Sequence, residues 1–347
     1  MARTSAVGAL LLFAGGGLGA CQSTPGAETP PRPSPPLTRH EFYRPQMGGK
    51  SRIVLYAEDA ERAGRAADAA FDAMAAVDRD MSDYKPESEL SCLSAGAGHG
   101  ERAVSEPLFE VLSAAQRFAA ASDGAFDVTA GPLIQIWRKA RQEQRIPAPL
   151  TIEEARPLVG YRLLHLDGNR KTARLEREGM RLDVGGIAKG YACDRALKVL
   201  DALGVRRTMV EASSSSFVLG DPPPGRDGWR IQIVGYPELI LSLSRCGVAT
   251  SGDAERFVEM DGRRYSHVVD PRTGYGLENV VITTIVAPDG MTADALGVTV
   301  SVLGPEKGIA LAGSFAGVQA RMEWRSPAGT RTAQTPGLEI LLWRGDR

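Results

Sequence analysis

The sequence predicts an α+β fold, on three observations. Strand-like segments crowd the C-terminal half, helical periods are inserted among them, and no regular β-α-β alternation links the two. At 347 residues, 43% of them apolar, the chain is long enough to bury a substantial core, and it carries no solenoid-like repeat. A formal net charge of -1 without a basic stripe argues against nucleic acid as the main partner, since neutralising many phosphates needs a basic excess.

The N-terminal segment reads as an address. Arg3 precedes an uncharged run from Ala6 to Ala20, shorter than the ~20 apolar residues of a spanning helix, so residues 1–20 are read as a secretory signal peptide. Its end, Leu18-Gly19-Ala20-Cys21, is similar to the bacterial lipobox, which makes Cys21 the expected lipidation site and the protein exported, membrane-anchored and periplasm-facing. Gln22 in place of an aspartate favours the outer membrane. Six prolines between Pro25 and Pro36 then favour extended backbone, a tether over residues 21–39 that leaves 40–347 as the folded unit. Cys92, Cys193 and Cys246 remain, an odd number with no C-x-x-C or Cys/His spacing, so neither a zinc site nor a redox motif is expected, and Cys193 and Cys246 are expected to be buried thiols.

Along the folded part, a strand over Arg52 to Tyr56 leads into an alanine-rich helix from Ala57 to Val77. A loop is expected from Asp83 to Gly100, then helices at Leu108 to Ser122 and Ile152 to Leu158, and strands at Arg162 to Leu166 and Ala173 to Glu176. Met180 to Val184 reads as a strand running through Gly185-Gly186 into a helix that stops at Gly204. Further strands are expected at 208–210, 217–219, 229–234, 240–243, 265–269 and 280–286, while Val298 to Val302 fits helix or strand equally.

Three stretches offer chemistry. In Asp183-Val184-Gly185-Gly186-Ile187-Ala188-Lys189-Gly190 the glycines permit close backbone approach, and free N–H groups at a helix start attract anions. Lys189 in the first turn opposes the helix macrodipole, so a negative partner is expected: a phosphate or Asp183. A solvated lysine on a glycine-rich turn is the plainer alternative, because neither nucleotide fingerprint is complete. Ser251-Gly252-Asp253 and the run from Tyr265 to Gly274 place His267 where a strand meets an Asp270-Pro271-Arg272-Thr273-Gly274 turn. Thr292 and Asp294 suit an N-cap and a first helical turn, which accounts for both without any function.

Together with Met47-Gly48, Met81 to Pro86, Ser88-Glu89-Leu90, Phe126 to Leu133 with Trp137, Gly228-Trp229-Arg230, Ala249 to Asp253 and Ala293 to Leu296, these motifs resemble the ApbE family of flavin transferases, over Met47 to Gly304 and in the family's order. The resemblance implies a T-fold-related arrangement of mixed sheets with inserted helices, and transfer of FMN from FAD to a threonine hydroxyl of an exported or membrane redox protein, with AMP released. It further implies that Met47, Tyr84, Ala125, Phe126, Asp127, Asp183, Lys189 and Val268 contact FAD, that Gly186 offers a carbonyl to magnesium, that Asp294 is the metal carboxylate and that His267 is the base. These roles suit the chemistry: Mg²⁺ takes one or two carboxylates plus substrate phosphates, and a hydroxyl needs a base near neutrality.

Two departures from the family pattern stand out. Val298 occupies the metal-shell position where the family places a threonine, with Thr299 one step further round. Ser213-Ser214-Ser215-Ser216 replaces a Gly-Gly-Asp segment. They keep two alternatives open, an exported protein that holds FAD with little transfer and an FAD pyrophosphatase giving FMN and AMP. The chain carries no Asp-Gly-Ser-Gly-Ala-Thr acceptor run, so its target is expected to be another protein.

Overall fold

A hairpin opens the fold. β1 (Thr38–Gln46) and β2 (Gly49–Ala57) are joined by Met47-Gly48, both at positive φ (56° and 74°), the two-residue turn whose twist matches that of the strands. The structure, a computed structural model, describes residues 36–345 apart from 235, 253–256, 261 and 327. The expected signal peptide, Cys21 and its lipobox, most of the tether and Asp253 lie outside the described residues.

Helix α1 (Ala60–Met81) starts later than Ala57 because Asp59 caps it, accepting the Arg62 N–H at 2.7 Å. The N-terminal half of its buried face is alanine (Ala63, Ala66, Ala67 and Ala70), which lets a second helix approach closely. The stretch expected as a loop contains α2 (Glu89–Ala95), capped by Ser88 but only seven residues long, with Leu90 and Leu93 as its buried pair. After β3 (Arg102–Ala103) come α3 (Glu106–Ala121), capped by Ser105, then α4 (Gly131–Glu143) and α5 (Pro149–Ala155), which continues into a 3-10 turn to Leu158. Short strands β4 (Leu164–Asp167) and β5 (Thr172–Leu175) join β3 in a small sheet. Arg162 turns out to lie in a 3-10 turn.

Met180 to Val184 is not a strand. It is extended but makes a single bridge, Arg181 to Ala130, and the Asp183 N–H goes to the Val128 carbonyl. It feeds α6 (Ala188–Ala202), which ends ahead of Gly204 at φ 74° as expected. Next come β6 (Thr208–Ala212), β7 (Ser216–Leu219), β8 (Trp229–Ile233), β9 (Tyr236–Leu243), β10 (Cys246–Gly252), β11 (Phe257–Met260) and β12 (Arg263–Ser266). The strand expected through Val269 stops at Ser266, where pairing with Phe257 ends, so His267 lies on the bend beyond. β13 (Val281–Ala287), α7 (Gly290–Ser314), β14 (Gln319–Ser326) and β15 (Gly329–Gln334) complete the order.

Eight strands form the main sheet, β1-β2-β6-β7-β10-β13-β14-β15, and its ladders are antiparallel. Strand alternation divides the core between its faces. Ile53, Leu55, Val210, Ala249 and Ile285 point to α1, α6 and α7, whereas Val54, Met209, Val248 and Val286 point to the β8-β9 hairpin and Leu338. Val298 to Val302 belongs to α7, whose apolar length alone would allow it to cross a membrane; here it packs on β10, β13 and α6, which explains its lack of a polar face. Its N-cap is Asp289, accepting the Thr292 N–H at 2.7 Å, so Thr292 receives the cap instead of supplying it. Gly304 at φ 81°, followed by Pro305, breaks the helix beyond the site.

Candidate active site

The two helix starts, α6 and α7, meet at glycines. A Cβ on Gly190 would lie 1.9 Å from the Gly290 carbonyl oxygen, so no other residue fits there. That approach brings Asp294 of α7 over the first turn of α6. Asp294 is buried; its Oδ2 accepts the Gly190 N–H at 3.0 Å and its Oδ1 accepts the Ser216 hydroxyl at 3.1 Å. The Lys189 ammonium stands 3.8 Å from Asp294 Oδ1 and donates to the Gly185 carbonyl at 3.0 Å. The partner that the sequence demands for Lys189 is therefore Asp294 within the protein. Asp183 is engaged elsewhere.

This cradle suits a hard cation. A positive group already lies beside a carboxylate and a peptide carbonyl, the two kinds of oxygen that magnesium takes from proteins. Among the described residues no three or more His, Cys, Asp or Glu side chains gather, so phosphates and water would have to complete any coordination shell. Val298 cannot contribute. Its methyl lies 3.1 Å from where a Gly186 Cβ would stand, beside the Phe126 ring, in an apolar cluster with Ala125, Val268 and Val302. Thr299 gives no substitute, because its buried hydroxyl donates to the Ala295 carbonyl of its own helix at 2.7 Å.

Asp183 anchors the loop ahead of α6. Its Oδ1 accepts the Gly185 N–H at 2.8 Å, and its Oδ2 pairs with Arg138 Nη2 at 2.6 Å. Burial, then the facing Asp83 carboxylate, push its carboxyl above the usual range, against the pull of Arg138. Arg138 also pairs with Asp83 and lies over the ring of Tyr84, a residue that is 74% exposed. Sequence reasoning passed over Arg138 and named Ser216 only as part of the serine run; the available signal was Arg138's place directly after the motif tryptophan, Trp137.

Asp127 turns its Oδ1 to the N–H and hydroxyl of Thr129, at 2.8 and 2.7 Å, and burial raises its carboxyl above the usual range. It lines a cavity of about 520 Å³ with Gly124, Tyr161, Arg162, Pro271 and Arg272, between the turn after α3 and the turn that follows His267. That turn forms as expected: Asp270 accepts the N–H groups of Arg272 and Gly274. His267 is partly exposed beside it.

Met47 lies at the far end of β1, tied to the serine run: Ser213 Oγ donates to the Met47 carbonyl at 2.8 Å. Ser213 and Ser214 both hold positive φ (52° and 58°), so the backbone keeps a glycine-like turn in spite of its side chains. Cys193 is buried as expected, with its thiol pushed far up by burial. Cys246 is only partly buried, its thiol raised by burial to about 12, and Cys92 is exposed.

The chain matches the ApbE family model over residues 47–322. It is 34% identical over 259 residues to an FAD:protein FMN transferase of Treponema pallidum, covering 69% of this chain and 72% of that one. It is also 34% identical to the Vibrio cholerae protein of the same name, covering 68% and 72%. In three dimensions it is similar to the Pseudomonas stutzeri flavinyl transferase ApbE in its apo form, with a TM-score of 0.78 at 30% identity over 90% of this chain and 99% of that one. The flavin transferase ApbE from Vibrio cholerae superposes with a TM-score of 0.79 at 27% identity over 88% and 100%. On the family match over most of the chain, the identity to these relatives and the shared fold, this chain belongs to the ApbE family of transferases.

Proposed function

We propose that this chain is a magnesium-dependent FAD:protein FMN transferase that moves FMN from FAD to a threonine hydroxyl of an exported or membrane redox protein and releases AMP. The observation that carries the reading is Lys189 between the Asp294 carboxylate and the Gly185 carbonyl at the start of α6. It is supported by the names of the relatives and by the sequence motifs around it.

Asp294 and the Gly186 carbonyl would hold the cation, which when bound neutralises charge on the pyrophosphate and polarises it for attack. Lys189 faces the same phosphates and stabilises charge as it develops, whereas the Ala188, Gly190 and Tyr191 N–H groups of α6 are already taken by Val184, Asp294 and Ile187. His267 takes the proton of the threonine hydroxyl; the new bond joins that oxygen to the FMN phosphorus, and the bond to the bridging oxygen breaks with AMP as leaving group. Tyr84 offers an aromatic face to a ring of the dinucleotide, and Ala125, Phe126, Asp127 and Val268 shape the remainder. The folded part, which opens at Thr38 of β1 rather than at His40 as expected, acts as one catalytic unit, carried on the lipidated Cys21 and the proline-rich tether at a periplasm-facing membrane.

The Val298 methyl against Gly186 favours one second reading, a lipoprotein that holds FAD and transfers little. Incubation of the full chain in detergent with FAD, Mg²⁺ and an acceptor bearing Asp-Gly-Ser-Gly-Ala-Thr separates the readings. Covalent flavin fluorescence on the acceptor supports transfer, free FMN indicates hydrolysis, and unchanged bound FAD indicates storage.

A further inference from the structure

Arg138 holds together three segments that are distant in sequence. From α4, its Nη2 reaches Asp183 Oδ2 at 2.6 Å, its Nη1 meets Asp83 Oδ2, and its guanidinium lies 4.2 Å from the centre of the Tyr84 ring. Both carboxylate side chains are well covered, at 17% exposure for Asp83 and 6% for Asp183. Two such carboxylates facing each other repel unless one is protonated or a cation lies against both, and here the Arg138 guanidinium pairs with both. Tyr84, by contrast, is 74% exposed as a residue, with the guanidinium over one face of its ring. An aromatic ring held this way presents its other face as a platform for a flat ligand ring.

The contacts continue from Arg138 to the phosphate-facing end. Asp183 Oδ1 accepts the Gly185 N–H at 2.8 Å, the Gly185 carbonyl accepts from Lys189 at 3.0 Å, and Lys189 stands 3.8 Å from Asp294. A single run of polar contacts thus joins the exposed ring to the buried carboxylate. We propose that Arg138 is a positioning residue that sets the spacing between the Tyr84 platform and the Lys189-Asp294 end, so that one dinucleotide engages both. This rests on the reading that the site takes FAD. Lysine cannot replace it: a point charge on a flexible stem does not bridge two carboxylates while lying flat on a ring.

The test is a double-mutant cycle of Arg138→Met and Tyr84→Leu in the full chain, reading the FAD dissociation constant by flavin fluorescence, with thermal melts beside it. Arg138→Met should raise Kd roughly tenfold or more, and Tyr84→Leu should cost much less in that background than in wild type, because the platform is already lost. Arg138→Lys should bring back the melting temperature and only part of the affinity, and it carries the test if Arg138→Met does not fold. Activity at saturating FAD should change far less than KM. Additive effects of the two substitutions, or full recovery of Kd in Arg138→Met/Asp83→Asn through charge balance alone, would overturn the inference. If wild-type protein binds no FAD, the underlying reading fails and takes this one with it; if wild type binds and Arg138→Met binds equally, only this one fails.

Discussion

Asp194 and Asp294 cap each other's helices. Asp194, on α6, accepts the Gly290 and Met291 N–H groups that open α7, at 2.7 and 2.8 Å. Asp294, on α7, accepts the Gly190 N–H in the first turn of α6 at 3.0 Å. Each carboxylate meets the positive end of the other helix, and the glycine contact between the helices makes the exchange possible. The candidate catalytic carboxylate is therefore fixed by the N–H of Gly190, 104 residues away in sequence.

Burial raises the Asp194 carboxyl from 3.8 to about 7, against the two N–H donors that pull it down. With the folded value above the unfolded one, the unfolded chain releases this proton first as pH rises. The stability contribution of Asp194 is accordingly complete below about pH 4 and is lost as pH climbs through about 7. Asp194→Asn, which does not titrate, should gain stability relative to wild type over that window and then level off. The gain should reach a few kcal/mol, because each tenfold change in an acid's dissociation constant on folding is worth roughly 1.4 kcal/mol. Denaturant midpoints of the two proteins between pH 4 and 8 measure it; a constant difference would show that Asp194 does not titrate there.

Asp294→Ala should abolish magnesium-dependent turnover and destabilise the fold by about 1–3 kcal/mol, since the buried Gly190 N–H loses its acceptor. Asp294→Asn keeps the size and an acceptor, and should recover most of the stability without the turnover. Magnesium titration of transfer, run beside thermal melts, separates the two effects. Undiminished activity in either variant would place the metal elsewhere.

Val298→Thr is nearly isosteric and puts a hydroxyl beside Gly186. Magnesium affinity or rate should rise, up to about tenfold if the hydroxyl joins the metal shell. Without magnesium the same hydroxyl sits among Ala125, Val268 and Val302 and should cost about 1 kcal/mol of stability. Isothermal titration with Mg²⁺ and FAD measures the first effect, and melting in chelator the second.

Ser214→Gly should stabilise the protein. A left-handed non-glycine residue costs about 1–2 kcal/mol, and the extra freedom of glycine in the unfolded chain returns about 0.4–1 kcal/mol of that, leaving a net gain of about 0.5–1 kcal/mol. Ser213→Gly should gain less, because it removes the bond to the Met47 carbonyl. Calorimetric melting of both variants ranks them.

The sequence by itself determined the α+β class, the helices α1, α3 and α6 to within a few residues, four of the eight strands of the main sheet (β2, β6, β7 and β13) and the turn after His267, because periodicity and turn residues act over a few positions. It also marked Lys189 as needing an anion and the serine run as a conformational departure. Local pattern misread Met180 to Val184, where apolar residues alternate with Arg181 and Asp183 as in a strand but no neighbouring strand forms a ladder, and it left Val298 to Val302 undecided, because a helix buried on several sides has no polar stripe to show its period. Tertiary structure alone decided that Asp294 rather than Asp183 answers Lys189, that Asp194 returns the cap, and that Arg138 binds Asp83, Asp183 and Tyr84 together. Those pairings join residues tens to more than a hundred positions apart, and the ones across α6 and α7 depend on how closely Gly190 and Gly290 let the helices meet, a distance that no local rule contains.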